Sequence, residues 1–91
     1  MRTQPAPKLG APLTDREHDV LFWVAYGLRN DGVADKLDLS VDTVKTHLRR
    51  IFRKFGVVDR AGMVTRGFVL GYLNADSGHL YWGDPAGTDA A

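Results

Sequence analysis

Between Leu13 and Leu73 the chain alternates residues that start helices with residues that stop them, which leaves room only for short helices. Thr14-Asp15-Arg16-Glu17 is a capping box. The Thr14 hydroxyl can accept from the Glu17 amide while the Glu17 carboxylate reaches back to the Thr14 amide. Leu13, just outside, can staple onto His18 or its neighbour. Gly27 supplies a left-handed stop. Asn30, Ser40 and Asp59 are the next three caps, and Gly56 is a second stop. Helices are therefore expected over residues 15–26, 31–37, 41–55 and 60–73.

Each segment carries an apolar stripe at helical spacing. The stripes are Val20, Leu21, Val24, Ala25 and Leu28 in the first and Val33, Ala34 and Leu37 in the second. The third has Val44, His47, Leu48, Ile51, Phe52 and Phe55, with 44, 48, 51 and 55 as its seam. The fourth is apolar around much of its girth: Ala61, Met63, Val64, Phe68, Val69, Leu70, Tyr72 and Leu73. One of its faces must meet the core, and the excess predicts a second buried face. Val64, Phe68, Leu70 and Gly71 are the candidate dimer interface, and cover by the chain's own tail is the competing reading. Gly67-x-x-x-Gly71 adds little, because that spacing is a weak signal outside membranes.

Ninety-one residues make one small domain. Its helical body is assigned to residues 13–73. Residues 1–12 hold three of the four prolines and no apolar period, and read as a flexible leader or linker. Residues 74–91 read as an irregular tail with one apolar island, Leu80-Tyr81-Trp82. The longest uncharged apolar runs, 20–28 and 67–75, have nine residues, against about 20 needed to span a bilayer. Cysteine is absent, which excludes disulfides, thiolate zinc sites and a cysteine nucleophile. Ser40 as a nucleophile has no base at a suggestive spacing, and an N-cap accounts for it. No enzyme, metal site or cofactor is expected.

A net charge of +1 conceals an uneven distribution. Residues 43–58 contain five bases (Lys45, Arg49, Arg50, Arg53, Lys54) and no acid, while the remainder has seven bases and eleven acids. Such a concentration is the footprint expected for a polyanion partner, though a solvated helix face would look the same by charge alone. Two helices joined by a tight turn can hold the second one in the major groove of DNA. The apolar seam of the third helix leaves Asp42, Lys45, Thr46, Arg49, Arg50, Arg53 and Lys54 outside. Lys45, Thr46 and Arg49 lie on its N-terminal half, where base edges are met: arginine can pair with the guanine edge and threonine can offer a methyl to thymine. Arg50, Arg53 and Lys54 lie further along and suit phosphate. The Ser40–Thr43 turn is a further phosphate anchor through its free amides.

These residues also resemble a family. Leu13-Thr14-Asp15-Arg16-Glu17, Val20-Leu21, Ala25-Tyr26-Gly27-Leu28, Asn30, Val33-Ala34 and Leu37 are followed in register by Ser40-Val41-Asp42-Thr43-Val44-Lys45-Thr46-His47, Ile51 and Lys54-Phe55-Gly56. Together they are similar to the LuxR-type (GerE-like) helix-turn-helix domain. The resemblance implies an all-α, compact four-helix domain that regulates bacterial transcription from the cytoplasm, nucleoid-associated when bound. It implies double-stranded DNA as partner, a homodimer formed through the fourth helix, and RNA polymerase or another regulator as a further partner. It places Lys45, Thr46 and Arg49 at base-edge positions, Thr43 and Lys36 at backbone-contact positions, and His47 at a largely structural one. Glu17 becomes a partner for Lys54 or Arg60.

The sequence departs from the family at Gly32, where glutamate is usual and glycine costs about 1 kcal/mol of helix stability relative to alanine. Gly62 similarly loosens the first turn of the fourth helix. Phe22 and Tyr26 stand at outward positions of the first helix that are usually polar. The alternative function is thus a protein-interaction module of the transcription machinery that uses Phe22, Tyr26 and the tail rather than DNA. Cover of these rings by Leu80-Tyr81-Trp82 is slightly favoured over an external partner. His47 as a metal ligand or switch lacks a second histidine at ligand spacing, and His18 and His79 read as plain surface residues.

Overall fold

The computed structural model describes residues 6–85. The expected leader residues 1–5 and tail residues 86–91 lie outside that range. Four helices, α1 (Asp15–Tyr26), α2 (Asn30–Leu37), α3 (Val41–Phe55) and α4 (Arg60–Val69), are followed by two strands, β1 (Leu73–Asp76) and β2 (His79–Trp82). The caps act as read from the sequence at three of four starts. Thr14 and Glu17 close a capping box, Ser40 Oγ accepts from the Thr43 amide at 3.0 Å, and Asp59 Oδ1 accepts from the Gly62 amide at 2.7 Å. Each such cap is worth about 1 kcal/mol.

The exception is Asn30. It is the first residue inside α2, and the N-cap is Arg29, which makes no side-chain cap bond. The Asn30 amide oxygen is engaged elsewhere, accepting from Arg60 Nη1 at 2.7 Å. A second departure is the end of α4, which stops at Val69 rather than at residue 73. Gly71 takes a φ of 88°, and the Tyr72 amide folds back to donate to the Gly67 carbonyl at 2.8 Å. A left-handed residue there turns the chain out of the helix despite the apolar run that continues past it.

The turn delivers the chain into an antiparallel hairpin in which Leu73 pairs with Trp82 and Asp76 with His79. Ser77 and Gly78, at φ 53° and 81°, form its two-residue loop, both in the left-handed region that such a loop requires. The segment read as irregular tail thus contains ordered structure. Leu73 is fully buried, β1 packs on α4, and β2 packs on α1. The Trp82 ring lies parallel to that of Phe22, 4.2 Å between centroids and 9° between planes. Phe22, expected to face outward, is consequently only 7% exposed. His18 is not a plain surface residue either. Its Nε2 is 2.7 Å from the Tyr72 carbonyl, and its ring meets Tyr72 and Trp82 edge-on. His79 is exposed.

The core is shared by the four helices and β1, with Leu80 of β2 packed against it. Val20, Leu21 and Val24 of α1, Val33 and Ala34 of α2, Val44, Leu48, Ile51 and Phe55 of α3, Met63 of α4 and Leu73 are buried together. Fully burying a side chain of this size contributes roughly 1.5–3 kcal/mol, so the α3 seam alone anchors that helix firmly. Gly67 is buried where α4 crosses α1. A Cβ there would stand 2.9 Å from Leu73 Cδ1 and 3.1 Å from Leu21 Cδ2. The Gly67-x-x-x-Gly71 spacing therefore serves packing within the chain.

Candidate nucleic-acid interface

The α2–turn–α3 unit is built around Asp38, whose left-handed φ of 57° ends α2, and Leu39, whose amide donates to the Ala34 carbonyl at 2.9 Å. Three residues separate the two helices. Arg60 braces the unit from α4. Its Nη1 donates to Asn30 and its Nη2 to the Leu28 carbonyl at 3.1 Å. The sequence offered Arg60 only as a partner for Glu17, and no local signal links it to Asn30 across thirty positions.

With Val44, Leu48, Ile51 and Phe55 turned into the core, Lys45, Thr46, Arg49 and Arg53 are exposed on the opposite side of α3. Within this face the Thr46 hydroxyl donates to the Asp42 carbonyl at 3.1 Å and accepts from Arg49 Nη2 at 3.2 Å. Arg49 is thereby held beside Thr46, one helical turn apart. Ser40 is exposed and Thr43 half-buried at the α3 start, with Ser40 Oγ donating to Thr43 Oγ1 at 2.9 Å. Lys36 is exposed on α2, its ammonium 4.8 Å from the centre of the Trp23 ring. Lys45 and Arg49 also line an open cleft between α3 and the start of α4, together with Phe52, Asp59 and Arg60.

Two bases expected outside are turned inward. Lys54 is 5% exposed, and its ammonium donates to Glu17 Oε1 and, at 2.9 Å, to the Pro12 carbonyl. Arg50 is half-buried, with Nε donating to Glu17 Oε2 at 3.1 Å. The cause is Glu17 itself, 1% exposed and anionic. A buried carboxylate requires paired positive charge, and α3 supplies it from two successive turns. Lys54 is thus a structural residue rather than part of the outer face, and the Glu17–Lys54 pairing is the one the resemblance implied. Burial pushes the Glu17 carboxyl up. Hydrogen bonds from Lys54, the Thr14 amide and Arg50, with the Lys54 charge, outweigh that and hold it below the usual carboxylate range.

His47 sits half-buried on α3, with Nδ1 enclosed and without a hydrogen-bond partner among the described residues. Burial lowers its basicity, Glu17 opposes that, and Arg16 and Arg50 reinforce it. Its imidazole is accordingly neutral near pH 7. Among the described residues no group of three or more histidine, cysteine, aspartate or glutamate side chains could hold a metal ion, and no helix is long and apolar enough to cross a membrane.

Comparison with known proteins agrees with this architecture. The family model GerE, described as bacterial regulatory proteins of the luxR family, matches residues 11–66. The uncharacterized transcriptional regulatory protein YxjL of Bacillus subtilis is 49% identical over 59 residues, which are 65% of this chain and 27% of that protein. The monoamine regulon transcriptional regulator of Klebsiella aerogenes is 44% identical over 63 residues, 69% of this chain and 28% of that protein. Among solved structures, the response regulator ChrA of a heme-sensing two-component system superposes with a TM-score of 0.63 at 39% identity, covering 65% of this chain and 29% of ChrA. VqmA of Vibrio cholera, in a ligand and DNA complex, gives 0.59 at 26% identity over 75% of this chain and 29% of VqmA. The chain thus spans less than a third of the length of these relatives. With its four helices, helix-turn-helix unit and family match in agreement, the chain belongs to the luxR family of bacterial regulatory proteins and carries that family's DNA-binding, transcription-regulating helix-turn-helix domain.

Proposed function

We propose that this chain reads sequence in double-stranded DNA by seating α3 in the major groove, as a homodimer joined through α4, and so regulates transcription in the bacterial nucleoid with RNA polymerase or another regulator as protein partner. The observation that carries the reading is the two-sidedness of α3: one side is locked into the core, and the other presents Lys45, Thr46, Arg49 and Arg53 to solvent. Lys45, Thr46 and Arg49 are assigned to base edges. Lys36, Ser40, Thr43, Arg53 and the exposed part of Arg50 are assigned to phosphates. The DNA complex of VqmA supports the same partner here. On α4, Phe68 remains exposed and Val64 half-buried, and Leu70, just past its end, is exposed, which suits a second copy, whereas Gly71 lies against Pro85 of the chain's own tail.

Site selection from a random duplex library, followed by anisotropy titrations across salt, tests the proposal. Arg49→Ala is expected to cost about 1–3 kcal/mol and to relax preference at one base position. Arg53→Ala is expected to weaken all sequences alike and to reduce the salt slope by about one counterion. A palindromic consensus is expected from a dimer. Absence of sequence preference in the unaltered chain, or a shallow salt dependence as for a protein-binding module, would defeat the reading.

A further inference from the structure

We propose that Asp31 is a self-modification site: the Gly32 amide closes on the Asp31 side-chain carboxyl, and the chain ages there to an isoaspartyl linkage that releases the brace between α2 and α4.

Asp31 is the one aspartate in the sequence followed by glycine, so no side chain on the next residue shields the amide that attacks. It is exposed on the first turn of α2. Inside a helix each amide is bound to the carbonyl four residues back, but the amides of the first turn have no such partner. In α2 the first bond of that kind runs from the Val33 amide to the Arg29 carbonyl at 2.9 Å. The Gly32 amide, one position earlier, donates to Asp31 Oδ1 at 2.9 Å, while the Leu28 carbonyl, four residues back from it, accepts from Arg60. Nucleophile and carboxyl are thus already in contact.

Closure moves the amide nitrogen from the carboxyl oxygen onto its carbon, which requires the first turn to open. Opening is easy here. The N-cap, Arg29, makes no side-chain cap bond, and α2 has only eight residues. Glycine in its third position is a poor helix former. Asp59 differs on both counts, since its Oδ1 is held by the Gly62 amide and the long side chain of Arg60 follows it.

The chemistry needs no co-reactant beyond water. The Gly32 nitrogen bonds to Asp31 Cγ, and its proton leaves with the carboxyl hydroxyl as water, giving a cyclic imide. Water then adds to the main-chain carbonyl of Asp31 and breaks its bond to the Gly32 nitrogen. The chain now runs through Cβ and Cγ, longer by one methylene, and the former main-chain carbonyl is a free carboxylate. That methylene falls between two fixed points. Asn30 holds Arg60 on one side of it, and Val33 and Ala34 are buried in the core on the other. A single hydrogen bond yields before a packed core does, so Arg60, which lines the cleft beside Lys45 and Arg49, is released.

The test is incubation of the whole chain in warm neutral buffer, sampled by peptide mapping and by an isoaspartyl methyltransferase assay. Isoaspartate is expected to accumulate at residue 31 faster than at any other aspartate. Asp31→Glu, which would need a larger ring, is expected to abolish it. Gly32→Ala is expected to slow it at least about fivefold, the factor that a firmer first turn alone supplies. Asp31→Asn is expected to form the same ring with loss of ammonia and so to reveal it by a change of mass. The aged form, separated by reversed-phase chromatography and refolded, is expected to melt at least about 4 °C lower, the least that loss of a hydrogen bond to a charged group implies for a domain of this size. It is also expected to bind duplex more weakly, a consequence that rests on the role proposed for α3. The proposal fails if the folded chain gains no isoaspartate at residue 31, if Gly32→Ala ages as fast, or if the aged form melts like the fresh one. A chain that ages and loses stability in this way but never binds duplex supports the modification and counts against the role of α3 alone.

Discussion

Replacing Glu17 with glutamine removes one negative charge from a site where two positive ones are held for it. Glu17 is 1% exposed and Lys54 5%, so neither ion recovers hydration without local opening. Breaking a buried pair by removing one partner costs roughly 3–5 kcal/mol, most of it from the charge left behind. The lower end applies here. Glutamine can still accept from the Thr14 amide, and Lys54 keeps the Pro12 carbonyl. A domain of 91 residues has about 5–14 kcal/mol of total stability, so a loss of about 3 kcal/mol consumes a large fraction of it. At 4–8 °C per kcal/mol for a domain of this size, the melting temperature should fall by roughly 12–24 °C. Urea and thermal melts followed by circular dichroism measure both quantities. The same reasoning requires that Glu17→Gln combined with Lys54→Met regain most of the loss, because a neutral, packed replacement no longer buries a lone charge. A single variant that loses less than about 1 kcal/mol, or a double variant as unstable as the sum of its parts, would refute the argument.

Acid should act on the same carboxylate. Its folded-state affinity for protons is lowered, so its stabilisation is complete above the unfolded value of about 4.3 and fades as pH falls below that through the lower folded value; urea midpoints from pH 7 to 3 should drop more steeply for the unaltered chain than for Glu17→Gln. Gly67→Ala should cost about 1 kcal/mol despite alanine's better helix propensity, because the new methyl meets buried Leu73 and Leu21, and a stabilised variant would contradict this packing. Trp82→Ala should cost about 1–2 kcal/mol by unstacking Phe22, with duplex affinity unchanged in anisotropy titrations.

What could be read in the sequence was what local chemistry decides. Thr14, Ser40 and Asp59 cap their helices because a short polar side chain three positions ahead of a free amide needs no distant help. The seam of α3 was equally plain, since four apolar residues at helical spacing leave its other side little choice. Asn30 failed for the opposite reason: Arg60, far along the chain, claims the amide that would have capped α2. Lys54 was misread from its place beside the seam as a phosphate contact, because burial there depends on whether a counter-charge waits opposite, and its pairing with Glu17 came only from the family resemblance. The hairpin was missed because each strand has four residues, too few for alternation to stand out. Its Ser77-Gly78 loop and the apolar pairs Leu73 with Trp82 and Ala75 with Leu80 were the available signals. Once the hairpin is in place, the outward positions of Phe22 and His18 become interior ones.

Tyr72 joins distant parts of the molecule at one point. Its hydroxyl accepts from the Leu13 amide at 3.0 Å, and its carbonyl meets both His18 Nε2 and the Gly83 amide. The polypeptide therefore enters and leaves its helical body through a single doorway, and any neighbouring segment tethered at one side begins beside whatever is tethered at the other. The residues just ahead of Leu13 run along the end of α3, where the Gly10 amide donates to the Lys54 carbonyl at 2.8 Å, so a label or fusion attached there would stand beside α3 and the hairpin alike.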